Sequence, residues 1–235
     1  MKKILVTNDD SLSYEGIKIL ASIAKEYASE VLVLAPHTEK SACSHSLTLK
    51  NTVRLYKESD LIEGVTTYTL DGTPSDCVKF AKDILNFDFD YVFSGINNGY
   101  NMADDICYSG TASAALEAEF LGKKGFAFST EVNNLTGSIY IKEALDYIFN
   151  SNLINEADVF NINLPHSSKG IKVTKQGKRS FNGHFIHIED NIYKAVLKDQ
   201  DQMFITREVN FDDDFVAIEE GFISISLLKN QLNVK

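Results

Sequence analysis

The sequence predicts an α/β fold: a mostly parallel sheet with helices on both faces, followed by a C-terminal antiparallel hairpin appendage. Three observations lead there. Five short runs are apolar throughout instead of alternating, the pattern of strands buried on both faces. Segments with apolar residues at helical spacing separate them. After about residue 170 the pattern changes to runs that read as antiparallel strands or hairpins.

The first run, KILVTN, ends at Asn8, Asp9 and Asp10. EGIKILASIAKEYA then sets Ile17, Leu20, Ala21 and Ala24 on one helical face. VLVLAP (31–36) is the second strand, closed by proline. DYVFSGIN (90–97), GFAFST (125–130) and DVFNINLP (158–165) are the third, fourth and fifth. The intervening helices are TPSDCVKFAKDIL, TASAALEAEFLG and SIYIKEALDYIFN. Thr73 as N-cap, Pro74 at N1 and Asp76 at N3 fit the start of the first of these. IYKAVLKD, QMFITREV, DFVAIEE and FISISLL read as antiparallel strands, and Asp212–Asp214 as a solvated turn. No Pro/Gly/Ser-rich linker divides the chain. It is therefore expected to be a single domain over 1–235, with an α/β core over about 1–170 and the appendage over about 171–235.

Composition narrows the function classes. Across 235 residues there are 33 acidic and 23 basic side chains, a net charge of −10, which argues against a nucleic-acid polymer as partner. No apolar run approaches the ~20 residues that span a bilayer. The stretch MKKILVTNDD is too short in its apolar part for a signal peptide. The expectation is a cytoplasmic protein with no membrane partner. Cys43, Cys77 and Cys107 are widely spaced with no CxxC pair, which reads as reduced thiols.

The polar clusters follow strands, where ligands of open parallel sheets gather. The first is Asn8-Asp9-Asp10. The second is the hydroxyl-rich APHTEKSACSHSLT, and the third is SGINNGYNMADD. Taken singly, each reads as a turn or a cap. Together they offer carboxylates, a hydroxyl and an amide carbonyl, an all-oxygen set that suits Mg²⁺, Mn²⁺ or Ca²⁺ better than zinc. Ser109, Gly110 and Thr111 precede an Ala-rich helix whose N-terminus reads either as a phosphate site or as plain N-capping. Of the histidines at 37, 45, 166, 184 and 187, only His45 lies in a clustered loop, which makes it the one candidate for proton transfer. Asp104 and Asp105 are further candidates, or orient their loop.

The segments ILVTNDDS, VLAPHTEKSACSHSLT, DGTPSDCV, VFSGINNGYNMADDICYSGTASAALEAEFLG, FNINLP and DDDFVAIEEGFISISLL appear in the order found in the SurE family of metal-dependent nucleotidases, which the chain resembles over nearly its whole length. The resemblance implies a Rossmann-like core and one divalent cation per subunit, Mg²⁺ or Mn²⁺, on Asp9, Asp10, Ser41 and Asn97. Asp9, Asp10 and Asn97 would carry the catalysis. Asn101, Ser109, Gly110 and Thr111 fall on the phosphate side, and His45 is placed there with them. It implies hydrolysis of nucleoside 5′- or 3′-monophosphates, with short polyphosphate taken by some members, and a homodimer or homotetramer built through C-terminal elements. Ser11 stands where the family usually has glycine. Leu12–Glu15 and Asn98-Gly99-Tyr100 also depart from the family pattern, and the chain ends at Lys235, where many members continue into a further helix. Two rivals are a non-catalytic nucleotide-binding or assembly protein on the same fold and a receiver-type signalling domain. The latter needs a phospho-accepting Asp that LTLKNTVRLYK lacks.

Overall fold

The apolar runs become neighbouring strands because each can bury both faces only inside a helix-covered sheet. The computed structural model describes residues 2–197 and 204–229. In chain order it contains β1 (Lys3–Thr7), α1 (Glu15–Tyr27), β2 (Glu30–Pro36), β3 (Leu55–Lys57), β4 (Thr66–Leu70), α2 (Pro74–Asp83) and β5 (Tyr91–Asn98). Then follow α3 (Gly110–Phe120), β6 (Lys124–Thr130), α4 (Ile141–Asn150), β7 (Val159–Leu164), β8 (Ile171–Thr174), β9 (Lys178–Phe181) and β10 (Gly183–Glu189). The last are β11 (Ile192–Leu197), β12 (Phe204–Glu208), α5 (Asp214–Glu219) and β13 (Ile223–Leu228).

Nine strands of the described residues form one sheet in the order β3-β4-β2-β1-β5-β6-β7-β13-β8. The strands from β4 to β7 in this order are parallel; β3 pairs antiparallel with β4, and β13 antiparallel with β7. The two faces separate residue by residue along β1. Ile4 and Val6 join the core under α1 and α4 with Ile17, Leu20, Leu145 and Ile148. Leu5 faces the opposite core with Cys77 and Val78 of α2 and Ala114 and Ala118 of α3. Phe93, Phe126, Phe128 and Phe160 fill the first core, with ring centroids 5.0–5.5 Å apart for adjacent pairs. The capping box expected at Thr73 and Asp76 is present.

The C-terminal third differs from the sequence reading in three ways. FISISLL forms β13, which inserts between β7 and β8, so both β8 and β13 belong to the main sheet; the separate antiparallel pairs are β10-β11 and β9-β12. DFVAIEE is the helix α5, not a strand. Its Phe215 and Ala217 are buried in alternation with the partly buried Val216 and Ile218, which mimics a strand, but acidic residues at its start favour a helix N-terminus. Asp212–Asp214 is no solvated turn. Asp213 and Asp214 are buried, and Asp214 accepts hydrogen bonds from the backbone N–H of Ala103 (2.8 Å), Gly177 (3.1 Å) and Phe215 (2.8 Å). Residues 198–199 of IYKAVLKD and 202–203 of QMFITREV lie outside the described residues.

Candidate active site

Parallel strands deliver their carboxyl ends to one edge of the sheet, and there the loops after β1, β2 and β5 converge. The Asp9 carbonyl accepts the Lys40 N–H at 2.7 Å, which ties the second loop to the first. The Ser44 N–H donates to the Tyr108 carbonyl at 2.9 Å and joins that loop to the segment before α3. Gly95 makes the third approach possible: at φ 133°, a Cβ there would stand 2.4 Å from the Phe128 carbonyl oxygen.

Asp9, Asp10, Ser41 and Asn97 all border one cavity of about 190 Å³, together with Asn101, Asp105 and Ser109. Asp9 is buried. Thr111 donates its hydroxyl to Asp9 Oδ1 at 2.5 Å and its N–H to Asp9 Oδ2 at 3.2 Å. The Thr111 hydroxyl also lies 3.3 Å from Asn97 Oδ1, and Asn97 Nδ2 donates to the Gly99 carbonyl at 2.6 Å. The amide nitrogen being so engaged, its oxygen is left on the Asp9 side. Asp10 Oδ2 accepts the Asn98 N–H at 3.1 Å. The Ser41 hydroxyl donates to Glu39 at 2.6 Å, and both its lone pairs are left for another partner. Gly110 has to be glycine: a Cβ would come within 2.9 Å of Asp9 Cβ and of Cys43 Sγ.

Burial raises the Asp9 carboxyl above the ordinary carboxylate range against the opposing pull of Thr111. Burial, then the charge of Asp9, pushes Asp10 up to about 6. Among the described residues, no ion pair reaches either carboxylate. Two adjacent acids with neutral donors only, each disfavouring the ionised form of the other, are what a divalent cation would stabilise. No cluster of three or more His, Cys, Asp or Glu suited to a metal occurs among the described residues. An ion here would rest on two carboxylates completed by the neutral oxygens of Ser41 and Asn97 and by water, a set that fits Mg²⁺ or Mn²⁺.

Asn101, expected on the phosphate side, is buried and bolted to β7. Its N–H donates to Asn163 Oδ1 (2.9 Å), and its carbonyl accepts Asn161 Nδ2 (2.9 Å) and Asn163 Nδ2 (3.0 Å). Its own Nδ2 donates to Ser129 at 3.0 Å. Asn161 and Asn163 were not singled out from sequence, although two asparagines on a wholly buried strand are themselves a signal. Ser109 caps α3 by accepting the Ala112 N–H at 3.0 Å, while Thr111 is engaged by Asp9. The structure does not bring His45 to the cavity. Its Nε2 pairs with the buried Glu117 at 2.7 Å, its ring stacks on Phe120 at 5.3 Å, and it borders a separate hollow beside Lys79. A roomier cleft of about 420 Å³ opens at the amino ends of the strands, but the cation that lines it among the described residues, Lys25, is bonded to the Glu63 carbonyl.

The family model for Survival protein SurE matches residues 4–183. The chain is similar to the 5′-nucleotidase SurE of Caldanaerobacter subterraneus subsp. tengcongensis, 35% identical over 233 residues, covering 95% of this chain and 89% of that protein. It is 40% identical over 244 residues to the 5′-nucleotidase SurE of Campylobacter jejuni subsp. doylei, covering 96% and 91%. The crystal structure of the SurE protein from Aquifex aeolicus superposes with a TM-score of 0.78 at 30% identity, covering 98% of this chain and 94% of that one.

Proposed function

Because the chain belongs to the Survival protein SurE family, we propose that it is a phosphomonoesterase that hydrolyses nucleoside 5′- or 3′-monophosphates to nucleoside and phosphate. Short polyphosphate is a second substrate of the same phosphoryl chemistry. The observation that carries the reading is the pair of adjacent carboxylates, free of any cationic partner among the described residues, sharing a cavity with Ser41 and Asn97.

Asp9, Asp10, Ser41 and Asn97 hold one divalent cation per subunit, Mg²⁺ or Mn²⁺. The chemistry such an ion supplies is Lewis-acid neutralisation of charge on the phosphoryl oxygens. Thr111 fixes the Asp9 carboxylate through two hydrogen bonds, and Asn98 fixes Asp10. Gly110 lets the N-terminus of α3 close on the site, where its positive end favours a phosphate. Ser109 and Asn101 border the space the phosphoryl group fills. His45 has no part in this reading, being paired with Glu117.

The protein works as a homodimer or homotetramer. A two-stranded hairpin alone is marginal in water. The β10-β11 pair exposes Phe185, Ile188, Ile192 and Tyr193, each more than half, which supports coverage by a second copy. Among the described residues no helix is long and apolar enough to cross a membrane. With its net charge of −10 we place the protein in the cytoplasm, with neither membrane nor nucleic-acid polymer as partner.

The test measures phosphate release from nucleoside monophosphates with Mn²⁺, Mg²⁺ or chelator, alongside thermal melting. Mn²⁺ at a hundredfold excess over its dissociation constant stabilises a specific site by about 2.7 kcal/mol. Wild type should show both turnover and the upward melting shift, and Asp10→Asn neither, with its circular dichroism unchanged. Chelator-insensitive turnover, or near-normal turnover by Asp10→Asn, rejects the assignment.

A further inference from the structure

We propose that Asp105 is the general acid of this site, donating its proton to the ester oxygen of the departing nucleoside; this rests on the hydrolase reading above and names a step that reading leaves without a residue. Among the described residues three aspartates line the cavity: Asp9, Asp10 and Asp105. The first two are held by hydrogen bonds from Thr111 and Asn98. The Asp105 carboxyl, half-buried, makes no hydrogen bond or ion pair with any described residue.

Its backbone, in contrast, is firmly placed. Asp105 lies on the short 3₁₀ helix Ala103–Cys107. Its N–H donates to the Met102 carbonyl at 3.0 Å, and its carbonyl accepts the N–H of Tyr108 (3.0 Å) and of Ser109 (3.1 Å). The Ala103 N–H is bonded to Asp214, and Gln176 donates to the Ala103 carbonyl at 2.8 Å. The neighbouring Asp104 is taken by Arg207 at 2.6 Å. One carboxyl of the pair is thus tied to β12, and the other is unpaired among the described residues, on a cavity-lining residue with a fixed backbone.

Charge favours the protonated form. A phosphate entering beside Asp9 and Asp10 meets a third negative group unless Asp105 carries its proton. Burial raises Asp105 to about 6. Arg179 on β9 opposes that rise, and Asp104 on the same short helix and Asp214 on α5 add to it. Asp9 and Asp10 are the other charged groups of the cavity. A carboxylic acid that titrates close to neutrality is well matched to giving up a proton in the transition state.

The step balances. The water oxygen forms a bond to phosphorus while the ester P–O bond breaks. The bonding pair leaves with the nucleoside oxygen, which takes the Asp105 proton. The proton lost by the water passes to solvent, from which Asp105 is reprotonated.

The experiment compares two leaving groups. A nucleoside alkoxide needs a proton; p-nitrophenolate does not. With Mn²⁺ present, Asp105→Asn should lower kcat/KM on a nucleoside 5′-monophosphate by about 10²- to 10⁴-fold and on p-nitrophenyl phosphate by much less. The wild-type nucleotide profile should fall as pH rises through the Asp105 titration, and this limb should be missing for p-nitrophenyl phosphate. Mn²⁺ affinity, read by calorimetry, should be unchanged in Asp105→Asn, because the residue is not a ligand in this proposal. Asp104→Asn should keep both activities. Asp105→Glu, which retains an acid, should recover nucleotide turnover over Asp105→Asn. Equal losses on both substrates, no loss on the nucleotide, or weakened Mn²⁺ binding would each overturn the assignment. If wild type with Mn²⁺ hydrolyses neither substrate, the hydrolase reading itself falls and takes this proposal with it.

Discussion

Ser11 gives a backbone experiment whose sign runs against habit. It follows the two acids at φ 64°, in the left-handed region, where an L-residue is disfavoured by about 1–2 kcal/mol. Elsewhere, replacing glycine by alanine stabilises by about 0.4–1 kcal/mol, because alanine has less freedom to lose from the unfolded chain. Subtracting the second effect from the first leaves about 0–1.6 kcal/mol, centred near 0.8 kcal/mol in favour of glycine over alanine at this position. The native serine recovers part of the strain. Its hydroxyl lies 2.8 Å from that of Ser13 and accepts the Ser13 N–H at 3.3 Å, part-buried contacts contributing about 0.5–1 kcal/mol together. The expected order of stability is Ser11→Gly at or above wild type, and Ser11→Ala below both. In a chain of this length, about 1 kcal/mol moves the melting temperature by about 2–4 °C. Thermal melts and urea titrations of the three proteins would resolve that. If Ser11→Ala proves as stable as Ser11→Gly, the turn after Asp10 does not need a left-handed residue and the reasoning fails.

Asp214→Ala would strand three backbone N–H donors, those of Ala103, Gly177 and Phe215, and should destabilise by about 2–4 kcal/mol; a melting shift under about 2 °C would contradict this. Phe185→Lys, which places a charge on the exposed hairpin, should shift the protein toward monomer in light scattering coupled to size exclusion. An unchanged assembly would mean that the β10-β11 face is not the contact between copies.

The sheet's centre was legible because β1, β2, β5, β6 and β7 are rich in apolar residues and buried on both faces over most of their length, even though Asn161 and Asn163 share one face of β7. The strand β4 was not. Its buried positions include Thr67 and Thr69, whose hydroxyls are satisfied locally: Thr67 donates to the Val65 carbonyl and Thr69 to Glu58. Polar residues with close partners bury without looking apolar in sequence. The site was legible as three polar loops at strand ends. What sequence could not supply was the division of labour inside them. Thr111 reads as a phosphate ligand until its hydroxyl is found on Asp9, and His45 reads as an acid–base candidate until Glu117 is found beside it. Both partners lie far along the chain, and no periodicity announces them.

The placement of β13 bears on how a nascent chain reaches this form. Among the described residues β8 has no partner in the main sheet except β13, and β7 keeps an open edge until β13 pairs with it. All the loops that build the cavity leave the ribosome before that strand does. During synthesis, therefore, the ligand-bearing half emerges with the backbone N–H and C=O groups on the outer edge of β7 unpaired, and this interval is where misassembly between neighbouring chains should concentrate.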